Sequence, residues 1–137
     1  ANYACAQDPR QAWIPIDGTY NIGPGPRMSP ADQQIGYDLS RCMTCGCCLE
    51  ACPQVGPRSD FMGAAILSQA RLFNRHPTVK MNADERLDQI MGKGGLADCG
   101  NAQMCVEACP KEIPLTTSIA ELERDATGRM FRKLLGS

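Results

Sequence analysis

The spacing of the nine cysteines constrains this 137-residue chain more than any other feature, because seven of them fall into two short runs. The first run reads Cys42-x2-Cys45-x2-Cys48-x3-Cys52-Pro53, and the second reads Cys99-x5-Cys105-x3-Cys109-Pro110. Both runs end in Cys-x3-Cys-Pro, so they form an internal repeat. Thiols this dense either pair as disulfides or bind metal.

The spacing disfavours disulfides. They suit small secreted domains, but adjacent Cys47 and Cys48, flanked by Cys45 and Cys52, would close strained loops of very few residues. Structural zinc needs four nitrogen or sulfur ligands at each site, and Cys-Pro is not typical of such sites. Disulfides and zinc stay open as alternatives, while the first run matches the full bacterial ferredoxin pattern and favours iron–sulfur clusters.

The ferredoxin pattern also predicts which cysteines act together. In two-cluster proteins of this type, three closely spaced cysteines bind one cluster and the fourth binds the other. Gaps of two residues wrap the chain around a cubane, and three further residues of turn or helix direct the fourth thiolate away. A [4Fe–4S] cluster is thus assigned Cys42, Cys45, Cys48 and Cys109. The second cluster is assigned Cys52, Cys99 and Cys105.

The second run lacks one cysteine, and the corresponding position is Ala102. Three thiolates around an apolar fourth corner predict a [3Fe–4S] cluster. An incomplete [4Fe–4S] cluster with water on its fourth iron is the alternative. Because each cluster takes a ligand from the other run, the two clusters should lie close together and staple the domain.

Three other residues could bind metal or react. Cys47 is out of register inside the first run, and we expect it to be a buried spectator. Cys5 stands alone near the N-terminus and is expected to be a free thiol. The lone histidine, His76, precedes Pro77, and we expect it to end a helix rather than bind metal.

The rest of the chain predicts an all-α fold. With three Phe, three Tyr and one Trp, the core must be thin for one small domain, so clusters would have to replace part of it. Residues 1–27 are rich in proline and glycine and predict an extended arm or linker, with Trp13–Ile16 packing on the domain. Residues 28–137 are predicted to form the cluster-bearing domain.

Four helices are predicted from capping and apolar spacing. Ser29 and Pro30 open the first, which runs to about Arg41, and the second runs from Asp60 to about Arg75. Asn82 caps the third, over residues 83–91. The last carries one apolar stripe, made of Leu115, Ile119, Leu122, Ala126, Met130 and Leu134.

Composition excludes several classes of function. Fourteen basic residues nearly balance fifteen acidic ones, for a net charge of −1, so no binding site for nucleic acid is visible. No apolar run approaches the roughly 18 residues of a membrane span, and no signal peptide is recognisable. The first residue is Ala1, so we expect a processed protein or a piece of a longer one.

The chain resembles the C-terminal half of the iron–sulfur subunits of succinate dehydrogenase and fumarate reductase, of the bacterial menaquinone-linked type. The two cysteine runs and the spacer between them carry the likeness. Five further segments add to it: residues 13–18, Arg41–Gly46, Phe61–Gly63, Arg71–Phe73 and Cys109–Lys111. The resemblance implies an α-helical ferredoxin fold and the ligand sets assigned above.

The resemblance also implies a function. In that family electrons pass from FAD through [2Fe–2S] and [4Fe–4S] to [3Fe–4S] and then to quinone, within the respiratory chain and the tricarboxylic acid cycle. The expected partners are an FAD-containing flavoprotein, a cytochrome b-type membrane anchor and a quinone, menaquinone in this type. The expected location is the cytoplasmic face of the cell membrane, as a peripheral subunit without a substrate site of its own.

Two differences from the family bear on this expectation. Only Cys5 precedes Cys42, so a [2Fe–2S] cluster is expected only on a missing N-terminal domain or a separate chain. Many relatives carry a Trp soon after the first Cys-Pro and a His after the first cysteine of the second run, both near quinone. Here those places hold Gly56-Pro57 and Gly100, which leaves Pro53 as the quinone-proximal candidate.

Two other functions remain open. One is a free-standing two-cluster carrier that resembles ferredoxin, although a net charge of −1 is not the strongly acidic surface that would favour it. The other is the iron–sulfur subunit of a glycolate, glycerol-3-phosphate or heterodisulfide oxidoreductase. Those proteins usually keep the middle cysteine in both runs, so Ala102 counts against them.

Overall fold

The computed structural model describes residues 27–77 and 79–136. Within these ranges the chain forms α-helices and short 3₁₀ turns and no strand, which confirms the predicted all-α fold for this part. The helices are α1 Pro30–Ser40, α2 Cys47–Glu50, α3 Ala64–Arg75, α4 Ala83–Ile90, α5 Met104–Ala108 and α6 Leu115–Leu134. The predicted arm up to residue 26, including Cys5 and Trp13–Ile16, lies outside the described residues, and the domain boundary stays a prediction.

Helix α1 forms where its local signals predict it. The Ser29 hydroxyl accepts a hydrogen bond from the Asp32 N–H at 3.1 Å, which satisfies one of the free donors of the first turn. Pro30 occupies the first helical position, where its missing N–H costs nothing. The helix ends at Ser40 with Arg41 as its C-cap, and Cys42 follows directly.

Helix α3 is central and begins four residues later than predicted, at Ala64 instead of Asp60. The Met62 N–H donates to the Gly94 carbonyl at 2.8 Å, so the segment before the helix is bound to a distant loop. Gly63 then has φ 88°, in the left-handed region, and sets the angle at which the helix starts. The helix ends at Arg75 and His76 caps it, as predicted.

The core lies where α3 packs against α1, α4 and α6. Its fully buried apolar side chains are Leu39, Leu67, Ile90, Ile113 and Leu122. Fully burying one such side chain contributes roughly 1.5–3 kcal/mol, so a core of this size is modest, as the scarcity of aromatics predicts.

The apolar stripe of α6 is buried only as far as Ala126. Met130 is 51% exposed and Leu134 is 74% exposed, so the prediction is wrong for the last turns. At this end of the helix the contacts with α4 are ionic instead. Arg129 and Lys133 both bind Asp88, at 2.6 and 2.9 Å.

Helix α4 is held by a buried cation rather than by the predicted cap. Asn82 stands at the predicted N-cap position, but its amide donates to Glu85 and makes no capping hydrogen bond. A 3₁₀ turn over Lys80–Asn82 leads into α4. The Arg86 side chain is fully buried. Its guanidinium donates to Asn74 at 2.7 Å and to the Val79 carbonyl, which fixes α4 against the end of α3.

None of the helices in the described part of the chain combines the length and the apolar character needed to cross a membrane.

Two glycines test this account of how the helices are positioned. Gly94 has φ 81°, and a Cβ there would lie 2.2 Å from the Asp60 carbonyl oxygen. We expect Gly94→Ala to destabilise the fold by about 1–3 kcal/mol. Gly128, inside α6, has no atom within 4 Å of an added Cβ, so Gly128→Ala should stabilise the fold by about 0.5–1 kcal/mol.

Thermal unfolding of the anaerobically prepared protein, followed by circular dichroism, measures both effects. Equal melting temperatures for the two variants would show that Gly94 does not hold the segment before α3.

Candidate metal centre

The two cysteine runs fold as two copies of one structure. Each residue of the first loop corresponds to the residue 57 positions later, so that Cys42 matches Cys99 and Cys48 matches Cys105. A short helix follows each loop, α2 after the first and α5 after the second. The repeat seen in the sequence is therefore also a repeat of backbone conformation.

Left-handed residues occur at matching places in the two loops. Thr44 has φ 56° and Gly46 has φ 82° in the first, and Asn101 has φ 50° and Gln103 has φ 61° in the second. Three of these four residues are not glycine, and a non-glycine residue with positive φ is uncommon. Alternating left-handed residues form concave backbone nests that bind anions, including iron–sulfur clusters.

The hydrogen bonds that end the two short helices also correspond. The Cys52 N–H donates to the Leu49 carbonyl at 3.2 Å, and the Cys109 N–H donates to the Val106 carbonyl at 3.3 Å. The same hydrogen bond therefore joins the last cysteine to the end of the short helix in each copy. By the same correspondence, Ala102 occupies in the second loop the place that Cys45 occupies in the first.

The first group of thiols surrounds Cys48, which is buried in α2. Burial is the main cause that raises the pKa of the Cys48 thiol to about 11. The negative charges of three neighbours raise it as well: Cys42, Cys105 and Cys109. Cys109 belongs to the second run, so the structure brings the fourth cysteine of one run to the thiols of the other.

The second group surrounds Cys105, which is buried in α5. Burial raises the pKa of the Cys105 thiol, and the charges of Cys52 and Cys99 act in the same direction. These three cysteines also line one cavity, whose wall includes Ala102. Cys52 comes from the first run, so the exchange of fourth cysteines is reciprocal.

Cys45 and Cys47 lie at the surface, and the sequence did not predict their contact. Hydrogen bonds from the Cys47 backbone and side chain lower the pKa of the Cys45 thiol. The hydrogen bond to Cys45, and the charge of Cys45, raise the pKa of the Cys47 thiol. Cys47 is exposed, so its predicted burial is wrong, while its role as a spectator stays a prediction. In the second loop Met104, 47% exposed, stands at the corresponding place.

The N-terminus of α3 faces both groups of thiols. The Ala65 backbone N–H counteracts the rise in the pKa of Cys48, while Ala64 lines the cavity of the second group. The first N–H groups of a helix have no partner inside the helix and carry partial positive charge. Thr116 and Ile119, from the first turns of α6, also line that cavity. Two helix N-termini thus favour negative charge on the sulfurs.

The outer wall of the cavity is built by residues that follow Cys52 and Cys99. These residues are Pro53 and Gln54 from the first run and Gly100 from the second. Pro53, the predicted quinone-proximal residue, is exposed at this wall. A Cβ on Gly100 would lie 2.5 Å from the Gln54 amide nitrogen, so the Gln54 side chain lies directly over Gly100.

Within residues 27–77 and 79–136, no three side chains of His, Cys, Asp or Glu close around one point as the ligands of a single ion do. The two buried thiols, of Cys48 and Cys105, lie in α2 and α5, which pack against each other.

Fold and site together define an all-α protein with two repeated cysteine loops, whose short helices pack against each other. The model of the 4Fe–4S dicluster domain family matches residues 38–113, more than half of the chain. The chain belongs to this family.

Curated relatives agree with the match. The chain is 63% identical to the succinate dehydrogenase iron–sulfur subunit of Bacillus subtilis over 93% of its own length and 50% of the relative. It is 32% identical to the fumarate reductase iron–sulfur subunit of Wolinella succinogenes, over 83% of the chain and 48% of the relative. The expected resemblance to these subunits is confirmed, and the chain spans about half the length of the two relatives.

The reciprocal exchange can be tested by two matched substitutions. We expect Cys109→Ser to damage the metal group of the first loop, because Cys109 lies with Cys48, and Cys52→Ser to damage that of the second, because Cys52 lies with Cys105. Electron paramagnetic resonance of oxidised and reduced protein, with iron content, distinguishes the two losses. If each substitution removes the metal group of its own run, the two runs act independently and the exchange is wrong.

Proposed function

We propose that this chain is an electron-transfer domain, the C-terminal part of the iron–sulfur subunit of a membrane-bound succinate:quinone oxidoreductase. Membership of the dicluster family and 63% identity to a succinate dehydrogenase subunit support the proposal. The observation that carries it is the match between the two cysteine loops, in which Ala102 stands where the first loop has Cys45.

The residues fit two iron–sulfur clusters, one with four cysteine ligands and one with three. In the proposal a [4Fe–4S] cluster is held by Cys42, Cys45, Cys48 and Cys109. A [3Fe–4S] cluster is held by Cys52, Cys99 and Cys105. The electrostatic contacts of Cys48 with Cys42 and Cys109, and of Cys105 with Cys52 and Cys99, support this division. Cys105 also acts on Cys48, and Cys45 lies at the surface. Ala102 supplies no thiolate at the fourth corner of the second site, which is the reason for the missing iron.

When bound, the clusters would accept and release single electrons, passing them from [4Fe–4S] to [3Fe–4S] and on to a membrane quinone. The protein contributes burial, charge and hydrogen bonds, which set reduction potentials in such sites. The Ala65 N–H and the first turn of α6 lie where they would stabilise negative charge on the sulfurs. Backbone nests in both loops would do the same.

Packing brings the two sites close, because both depend on the contact between α2 and α5. Cys48 and Cys105 are buried and lie within electrostatic range of each other. No substrate chemistry is required of this chain, whose role is to hold the clusters at suitable potentials and near each other.

The proposal includes the partners that such a domain needs. An FAD-containing flavoprotein would supply electrons through a [2Fe–2S] cluster on a preceding domain or another chain. A cytochrome b-type anchor would hold the complex at the cytoplasmic face of the membrane and supply quinone. Pro53, at the cavity wall, would lie nearest the quinone.

A free-standing carrier that resembles ferredoxin is the second candidate, since the two cluster sites need only this chain. The related glycolate, glycerol-3-phosphate and heterodisulfide oxidoreductases are disfavoured by Ala102. Purification from the native organism separates these functions. A tagged protein should be recovered from detergent-solubilised membranes with a flavoprotein and a haem-containing anchor, and succinate should reduce its iron–sulfur signals. Recovery from the soluble fraction without either partner, with both clusters present, would contradict the proposal and support the carrier.

A further inference from the structure

The Gln54 side chain lies against the loop of the second cysteine run. Gln54 lies two residues after Cys52, and it lines the cavity of the second site together with Cys99 and Cys105 from the other run. A Cβ built on Gly100 would have as its three nearest atoms the Gln54 amide nitrogen, Cδ and Cγ, at 2.5, 3.1 and 3.4 Å. The amide therefore extends across the chain next to Cys99.

Gly100 is needed for its small size and not for its backbone conformation. Its φ lies outside the left-handed region, unlike that of Gly94 or Gly63. Any side chain at position 100 would displace the Gln54 amide. Gln54 and Gly100 are therefore complementary, because the Gln54 carboxamide occupies the space that a side chain at position 100 would fill.

A carboxamide at this place can act on the sulfurs of the site. Much of the surrounding wall is apolar and includes Phe61, Ala64, Ala102 and Ile119. Hydrogen bonds to cluster sulfurs raise the reduction potential of a cluster, because they stabilise the added negative charge. Gln54 and Gly100 are themselves exposed, so the amide covers this apolar wall from its solvent-facing side.

We propose that Gln54, admitted by Gly100, donates its amide N–H to a sulfur of the second site and so raises the potential of the proposed [3Fe–4S] centre. The inference rests on the proposed function, since it needs that cluster at Cys52, Cys99 and Cys105. Gln54 is a tuning residue and not a ligand, so its loss should change the potential and leave the iron in place.

The test is a redox titration of the anaerobically reconstituted chain, followed by the paramagnetic signal of the oxidised [3Fe–4S] centre. Gln54→Leu keeps the size of the side chain and removes the donor. The equilibrium constant for reduction should fall about tenfold, which is about 59 mV for one electron. Gln89→Leu makes the same change at an exposed position of α4 and should leave the potential unchanged.

A double-mutant cycle tests the pairing with Gly100. Gly100→Ala should lower the potential by the same amount, because its Cβ displaces the amide. In a Gln54→Ala protein those three contacting atoms are gone, so adding Gly100→Ala should change nothing further. The two substitutions should therefore be non-additive, whereas independent effects would add.

The outcomes distinguish failure of the proposed function from failure of the Gln54 inference. Wild-type protein with no [3Fe–4S] signal would overturn the proposed function, and this inference with it. A wild-type signal whose potential is the same in Gln54→Leu, Gln54→Ala and Gly100→Ala would overturn the inference alone. The Ala variants carry the test if the larger Leu side chain prevents cluster assembly.

Discussion

The contact between α2 and α5 is the constraint on which the rest of the site depends. It brings Cys48 and Cys105 into the interior and places the last cysteine of each run beside the other run. A thiolate buried in this way is costly, as the raised pKa of Cys48 shows. Bound iron removes that cost by coordinating the thiolates, so metal binding and folding of this region should be coupled.

The helices around this contact also lie against the thiols. The α3 N-terminus lies against both groups of thiols, and α6 begins at the second of them. The core that holds these helices is modest and is supplemented by buried polar anchors such as Arg86. In a domain with few aromatics, two clusters at the centre would supply the cross-links that a larger core supplies elsewhere.

Features with a local cause were predictable from sequence, and features set by distant contacts were not. Ser29 and Pro30 start α1 through their own chemistry. The late start of α3 depends on the bond from Met62 to Gly94, which no local pattern contains. The grouping of the cysteines was predicted from their spacing, because ligand reach is short, and it stays a prediction. The Gln54–Gly100 pair joins residues 46 positions apart, and only the fold brings them together.

In the proposed second site Ala102 stands where a fourth cysteine ligand would be, and Ala102→Cys tests this directly. Iron content should rise from seven atoms to eight, and the signal of the oxidised protein should vanish, since oxidised [3Fe–4S] is paramagnetic and oxidised [4Fe–4S] is silent. Ala102→Ser, with a side chain of similar size and no thiol, should keep seven irons and the signal. An undiminished signal and seven irons in Ala102→Cys would show that residue 102 does not face the missing corner. Two zinc ions in place of iron would contradict the account altogether.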